Sequence, residues 1–521
     1  MDEGVFRGLV VVIVNGGCNI GRSIALEYAA RKAKVVVHGQ KHAVDIISQE
    51  IKSQGGKSIS AYTDPMDAAL DKYRFIDIVV IVTQQGTLGE TFGDTMHRMA
   101  HQTYLHAVAG HARFAKQGRG SILVVVDDET SGEAHVTARM TIMGLCKSLA
   151  SKRKGITCNC LLPKGKQAEK RAALLALALT SPSSRHSGGV VEVTRKGANQ
   201  LSSDESITYT YASSSPSIDE MLQQCLAEPA SSTIQDKVAI VTGAGGGLGL
   251  MVARRLLELG AYVVAYESNM MLREVPQLGA GQFTFKRRRS WKDTILSRPE
   301  PEKRPCEERH LFINSMEEKE MVQACINKFG RIDVLINCAS VPTVPSRQDL
   351  RLFNWELMIR HHIEASYRMS QHVWPLMSLK KKGHIVNMIP MDQTRACALS
   401  LGMAGLSQAL ARKGEKDNIV VNCTFSSHIS SNQAQIAVSL PILLAMDTCP
   451  FRGATLEASS NQATILDLVP SNLVEFSSLS TVKHLIGALD CNTLVPPTPI
   501  PSPPYSPKST RFTIVQMLPL T

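Results

Sequence analysis

KVAIVTGAGGGLGLMVARRLLELG, Lys237 to Gly260, decides the fold. An apolar run ends at Thr242, a glycine cluster follows, and the next residues set apolar side chains at helical spacing. The stretch therefore reads as strand, turn and helix. Thr242, Gly243, Gly247, Leu248 and Gly249 mark the turn. Glycines there permit a tight reversal and let the backbone approach a pyrophosphate, whose charge meets the amides at the helix N-terminus. The following apolar run, AYVVAY, leads into Glu267. An acid at the end of a second strand accepts hydrogen bonds from an adenosine ribose, which predicts NAD in preference to the 2′-phosphorylated NADP.

The same order of features occurs near the N-terminus, in RGLVVVIVNGGCNIGRSIALEYAARKAKVVVHG, Arg7 to Gly39. Gly21 pairs with Gly249, Asp77 of FIDIVV with Asp333 of RIDVLI, and Gly144 of MGLCKSLA with Gly405 of AGLSQALA. Repeats this long are whole domains and not solenoid units. Strands alternating with helices predict an α/β chain of two tandem Rossmann-like, doubly wound parallel-sheet domains. The expected boundaries are residues 1–195, a Ser-rich linker 196–234, a second domain 235–430, and a divergent C-terminal region 431–521. That region ends in PPTPIPSPPYSPKST, which reads as a disordered, Pro-rich tail. The spacing between paired landmarks widens in the second copy between its second and fourth strands. This places a basic insertion at about 282–309, with Lys286, Arg287, Arg288 and Arg289 in an exposed loop.

Composition narrows the class. Of 521 residues, 44% are hydrophobic and 20% charged, as in ordinary globular domains. No apolar run is long enough to span a bilayer, and the N-terminus MDEGVFRG starts acidic, so a soluble, intracellular protein without membrane partners is expected. The 12 cysteines are scattered apart from a CxC at Cys158 and Cys160, so neither disulfides nor a metal site is predicted. A net charge of +11 is spread along the chain without a nucleic-acid-binding motif. A nucleotide or a coenzyme A ester accounts for it as well as nucleic acid would.

The string TGxxxGxG, together with KFGRIDVLINCAS, Lys328 to Ser340, resembles the short-chain dehydrogenase/reductase family. That family's second landmark usually ends NNAG; Asn337 and Ala339 match it, while Cys338 and Ser340 depart. The resemblance makes Asn337 and Ala339 cofactor-binding candidates. Further residues are similar to the dehydrogenase region of the fungal peroxisomal multifunctional enzymes of type 2. These are the TGAGGGLG form of the turn, His362 where many dehydrogenases carry asparagine, Trp374-Pro375, and the segment SRHSGGVVEVTRKGANQ, Ser184 to Gln200. No counterpart of that family's hydratase domain is expected. The resemblance implies oxidation of (3R)-hydroxyacyl-CoA to 3-ketoacyl-CoA with NAD, in fatty-acid β-oxidation or in tailoring a secondary metabolite. It also implies pairing of the two copies as an intramolecular pseudo-dimer. It points to the peroxisome, yet Pro519-Leu520-Thr521 is not an SKL-type address, so the cytoplasm stays open.

The chemistry of that family needs a tyrosine as general base, a lysine one helical turn on that favours the phenolate, and a serine near the reacting oxygen. In the first copy the tyrosine and lysine positions fall on His135 and Arg139, with Asp127 near the serine position. In the second they fall on Ala396 and Ser400, with Pro390 near the serine. His135 and Arg139 are candidate substitutes, since imidazole titrates near neutrality but guanidinium stays charged. The alternative is a nucleotide-binding pseudoenzyme or scaffold. The first turn is altered too: Val14, Asn15 and Asn19 stand where Thr, Gly and Gly are wanted, and His38 and Gly39 replace the acid. Weak binding or none is expected there.

Overall fold

The computed structural model describes residues 4–201 and 234–474, apart from short stretches of which 268–308 and 339–351 are the longest. The chain divides into two compact units. The strands of the first are β1 (Val10–Val14), β2 (Lys34–His38), β3 (Lys57–Ala61), β4 (Ile78–Val82), β5 (Gly120–Val125), β6 (Ile156–Pro163), β7 (Val190–Val193) and β8 (Ala198–Leu201). Those of the second are β9 (Val238–Thr242), β10 (Tyr262–Glu267), β11 (His310–Asn314), β12 (Val334–Cys338), β13 (Gly383–Met391), β14 (Ile419–Ser427), β15 (Thr455–Ala458) and β16 (Ala463–Ile465). A last strand, β17 (Pro470–Val474), returns to the first sheet.

The sheet orders are β17-β8-β7-β6-β5-β4-β1-β2-β3 and β11-β10-β9-β12-β13-β14-β15-β16. Seven strands of each run parallel in the same order, and the edges beyond them are antiparallel. The two tandem Rossmann-like sheets expected from the sequence are therefore present. VVVIV in β1 and VAIVT in β9 are buried along their whole length, as strands covered on both faces must be. The bases of the two sheets match as well: Val10 N–H donates to Asp77 Oδ2 at 2.9 Å, and Val238 N–H to Asp333 Oδ2 at 2.9 Å.

The expected boundaries need correction. β8 lies inside the stretch read as linker, and β17, antiparallel to it, lies inside the region read as divergent. The second domain runs past 430, through the helix Ala434–Leu444 and on to β16. Short edge strands give little alternation to read. The helix AQIAVSLPILL is apolar but for Gln435 and Ser439, and it packs on the helix Gly247–Glu258 within the core that also holds Leu248, Val252 and Leu256. Its end is tied to the amino ends of the strands through Asp447, which accepts from Lys237 Nζ at 2.8 Å and Lys382 Nζ at 2.8 Å, with His384 Nε2 at 3.1 Å. Those three partners line a cleft of about 220 Å³ with Asp447, at the base of the second sheet. The widened spacing falls between β10 and β11; all of the basic insertion but Arg309, and the Pro-rich tail, lie outside the described residues.

Candidate functional site

β9 lies between β10 and β12, so the strand order reverses beside it. Ligands of open α/β sheets bind in that crevice, at the carboxyl ends of the strands. The glycine turn leaves β9 there. Gly243 and Gly247 hold left-handed backbone, at φ +63° and +53°. Gly249 does something else: a Cβ on it would stand 2.3 Å from Gly243 O, so it lets the helix pack against the turn. Leu248 is buried in the core, and Thr242 uses its hydroxyl to accept from Cys338 N–H at 3.1 Å, clipping β9 to β12.

The open part of the turn is Gly246 and Gly247, around whose Cβ positions nothing lies within 4 Å. Gly246 is the N-cap of the helix Gly247–Glu258, in extended backbone, and no side chain caps that helix. First-turn amides without a cap are donors ready for an anion. Gly245 N–H donates to Glu267 Oε2 at 3.2 Å, so the buried acid at the end of β10 braces the turn. Gly245 and Gly246 were not singled out in the sequence; the run of three glycines after Ala244 was the available signal, and only the cap geometry separates their tasks.

Asn337 is brought to a different place from the one expected. Its side chain is 1% exposed, and Nδ2 donates to Asn387 Oδ1 at 2.9 Å and to Ser366 O at 3.4 Å. It joins β12 to β13 and to the helix Ala365–Lys380. Asn387 continues the chain inward, donating to Ser407 Oγ at 2.8 Å. Ala339 lies outside the described residues. Cys338 is buried, and its thiol is pushed up to about 12 by burial, with the Glu267 carboxylate adding to it. His362 sits in a π-helical turn, Ile359–Glu364, where its ring is 5% exposed. Burial, then the neighbouring His361, pushes its pKa down to about 4, so the ring is neutral at physiological pH.

The catalytic positions do not assemble the missing pair. Ala396 opens the helix Ala396–Gly414, and Ser400, one turn on, is buried. Neither side chain can supply a phenolate or an ammonium. In the first copy His135 and Arg139 are one turn apart on the helix Glu133–Ala150, both half-buried. Asp127 follows β5 and accepts from Gln85 Nε2 at 3.4 Å. No cluster of metal-ligating side chains occurs among the described residues, and no helix among them is long and apolar enough to cross a membrane.

Residues 313–437 match the family model described as short chain dehydrogenase. That stretch, which lies within the second copy, is thus similar to the short-chain dehydrogenases. The chain is 23% identical over 511 residues to the peroxisomal hydratase-dehydrogenase-epimerase of Saccharomyces cerevisiae, covering 80% of this chain and 54% of that protein. It thus spans about half the length of that relative. It is also 23% identical over 206 residues to an acetoacetyl-CoA reductase of Allochromatium vinosum, covering 37% of this chain and 76% of that one. Among solved structures, the N-domain, with NADP, of a bacterial malonyl-CoA reductase superposes with a TM-score of 0.66 at 14% identity, over 88% of this chain and 98% of that one. That likeness extends over both units and concerns their fold.

Proposed function

We propose that the second copy holds a nicotinamide dinucleotide, NAD before NADP, with the pyrophosphate at Gly245–Gly247 and the adenosine ribose toward Glu267. The observation that carries this reading is the uncapped helix N-terminus at Gly246, open on its outer side and set at the switch point of the sheet. The residues fit the group: the first-turn amides of the helix beginning at Gly247 have no side-chain cap and suit its phosphates, and a buried acid stands at the next strand end. When bound, the dinucleotide supplies the hydride acceptor or donor. The chain's own part is to orient it and to keep the crevice shaped.

The activity proposed is that of a short-chain dehydrogenase-type oxidoreductase acting on a 3-hydroxyacyl or 3-ketoacyl thioester, supported by the similarity to an acetoacetyl-CoA reductase and to a protein whose name includes dehydrogenase. The peroxisome is the proposed compartment on the same ground. A second reading, a dinucleotide-binding protein without efficient turnover, is favoured by Ala396 and Ser400. Loss of a general acid/base group removes about 10² to 10⁴ of rate, so slow turnover is expected on the first reading.

One experiment separates the two. Purified chain is titrated with NADH and NADPH by fluorescence, then incubated with acetoacetyl-CoA and longer 3-ketoacyl-CoA esters while NADH absorbance is followed. Binding with slow, thioester-dependent oxidation of NADH supports the oxidoreductase; saturable binding with no oxidation leaves the second reading. If neither nucleotide binds, the site proposal fails.

A further inference from the structure

We infer that the crevice of the first copy is closed to a dinucleotide by its own side chains, and that Asn15 and Cys18 are the residues that close it. The inference rests on the reading of the second copy only for the contrast it draws. The two turns share a frame. Gly16 N–H donates to His38 O at 2.8 Å, as Ala244 N–H does to Tyr266 O at 3.1 Å. Gly21 meets Gly16 Cα at 2.6 Å from its Cβ position, as Gly249 meets Gly243 O at 2.3 Å. Asn15 takes φ +55° where Gly243 takes +63°.

On that shared frame the first copy adds side chains. Asn15 Nδ2 donates to Val82 O at 3.0 Å, and its Oδ1 accepts from Gln84 Nε2 at 3.2 Å. The carboxamide therefore bridges from the turn after β1 to the end of β4, across the crevice that an open sheet offers to a ligand. Two further links close the same edge. Asp127 N–H donates to Thr83 Oγ1 at 3.0 Å, and the Arg98 guanidinium donates to Gln84 O while its Nε contacts both Glu90 carboxylate oxygens, at 2.9 and 3.0 Å.

Cys18 completes the closure. It is the N-cap of the helix Asn19–Ala30, and its Sγ accepts from Gly21 N–H at 3.4 Å. The amide that an incoming phosphate would use is thus already taken, whereas Gly246, at the equivalent place, leaves its helix uncapped. Charge works in the same direction: the thiol is raised by burial and also by the Asp127 carboxylate nearby, a group that repels a phosphate. A pyrophosphate entering here would have to displace the carboxamide bridge and the cap, with an acid for a neighbour.

Cys18 is itself a reporter, being the only cysteine among the described residues that is not buried. The full chain is titrated with NADH by calorimetry, and Cys18 is alkylated with iodoacetamide, with and without saturating NADH, and quantified by peptide mass spectrometry. One NADH per chain is expected, with Cys18 labelling changed by less than about twofold, since bound ligand protects a thiol only where it covers it. Gly246→Val, at an extended and unobstructed position, should abolish binding while the melting temperature holds. A second equivalent of NADH, strong protection of Cys18, or binding that survives Gly246→Val would overturn the inference. The paired variant Asn15→Gly/Cys18→Gly, shown to be folded by circular dichroism, should gain one equivalent over the parent chain. If it takes no more than the parent, Asn15 and Cys18 are not the closure. An absence of all binding to the parent chain would remove the second-copy reading alone, and the paired variant would still decide this one.

Discussion

Asn15 and Gly243 occupy the same left-handed backbone position in the two copies, and the residue three places on is Cys18 in one and Gly246 in the other. In the first copy each of these side chains hydrogen-bonds locally; in the second, glycine leaves the helix without a side-chain cap. The fold is indifferent to this choice, because the close approaches it needs are made by Gly21 and Gly249. Packing glycines and unobstructed glycines are therefore separate, though they sit within one short run, and substitutions can tell them apart.

The largest expected effect falls on the packing glycines. Gly249→Val drives a side chain into Gly243 O, and Gly21→Val drives one into Gly16. Overpacking of this kind costs about 3 kcal/mol. Each variant should lower the urea midpoint of its own unit and leave the other unchanged. Equal stability of Gly249→Val and Gly246→Val would break the division of labour drawn above.

The next effect depends on pH and contrasts the copies at a buried helical position. His362 occupies in the second copy the place that Met99 occupies in the first, each three residues before a 16-residue helix and each buried. The folded pKa of His362 is about 4, below the ordinary value of 6.5. The unfolded chain therefore binds the proton first, and stability rises with pH between those values and is progressively lost below 6.5. At pH 5 the loss is roughly 2 kcal/mol relative to neutral pH. His362→Met should flatten that part of the melting-temperature profile, and an unchanged profile would show that the ring is not held neutral.

How much of this was legible in the sequence follows from what each residue does. The parallel sheets could be read because β1 and β9 are apolar along their length and each is followed by glycines and a helix pattern. The edges could not: β8 and β17 are short, and the helix Ala434–Leu444 has only Gln435 and Ser439 to mark its period. Around the turn, Thr242 clips β9 to β12 and Glu267 braces Gly245, while Asn337 joins β12 to β13. A motif match does not distinguish a residue that touches a ligand from one that shapes the strand beneath it. The open cap at Gly246 depended on where Cβ vectors point, which spacing alone does not encode.

A smaller effect tests the left-handed position itself. Gly243→Val should cost about 1 to 2 kcal/mol, the ordinary penalty for a side chain in left-handed backbone. Gly243→Asn should cost less, because asparagine visits that region and Asn15 already does so in the first copy. Chemical denaturation of both variants gives the comparison. Equal losses would mean that the first copy's asparagine is there for its bridge across the crevice and not for its backbone.

The smallest change in stability belongs to Gly246→Cys, which gives the second turn the cap of the first. Gly246 is already extended and nothing crowds its Cβ position, so the thiol is admitted without strain. The difference between glycine and a capping side chain at this position is a few tenths of a kcal/mol, roughly the resolution of a careful denaturation curve. Affinity should respond far more, because the sulfur takes an amide that a phosphate would use, and a loss of about 1.4 kcal/mol is already tenfold in Kd. NADH titration of this variant beside the parent chain, at equal melting temperature, isolates the cap from the fold. Undiminished affinity would mean that the dinucleotide does not lean on the helix N-terminus, and the contrast between the two turns would then rest on the Asn15 bridge alone.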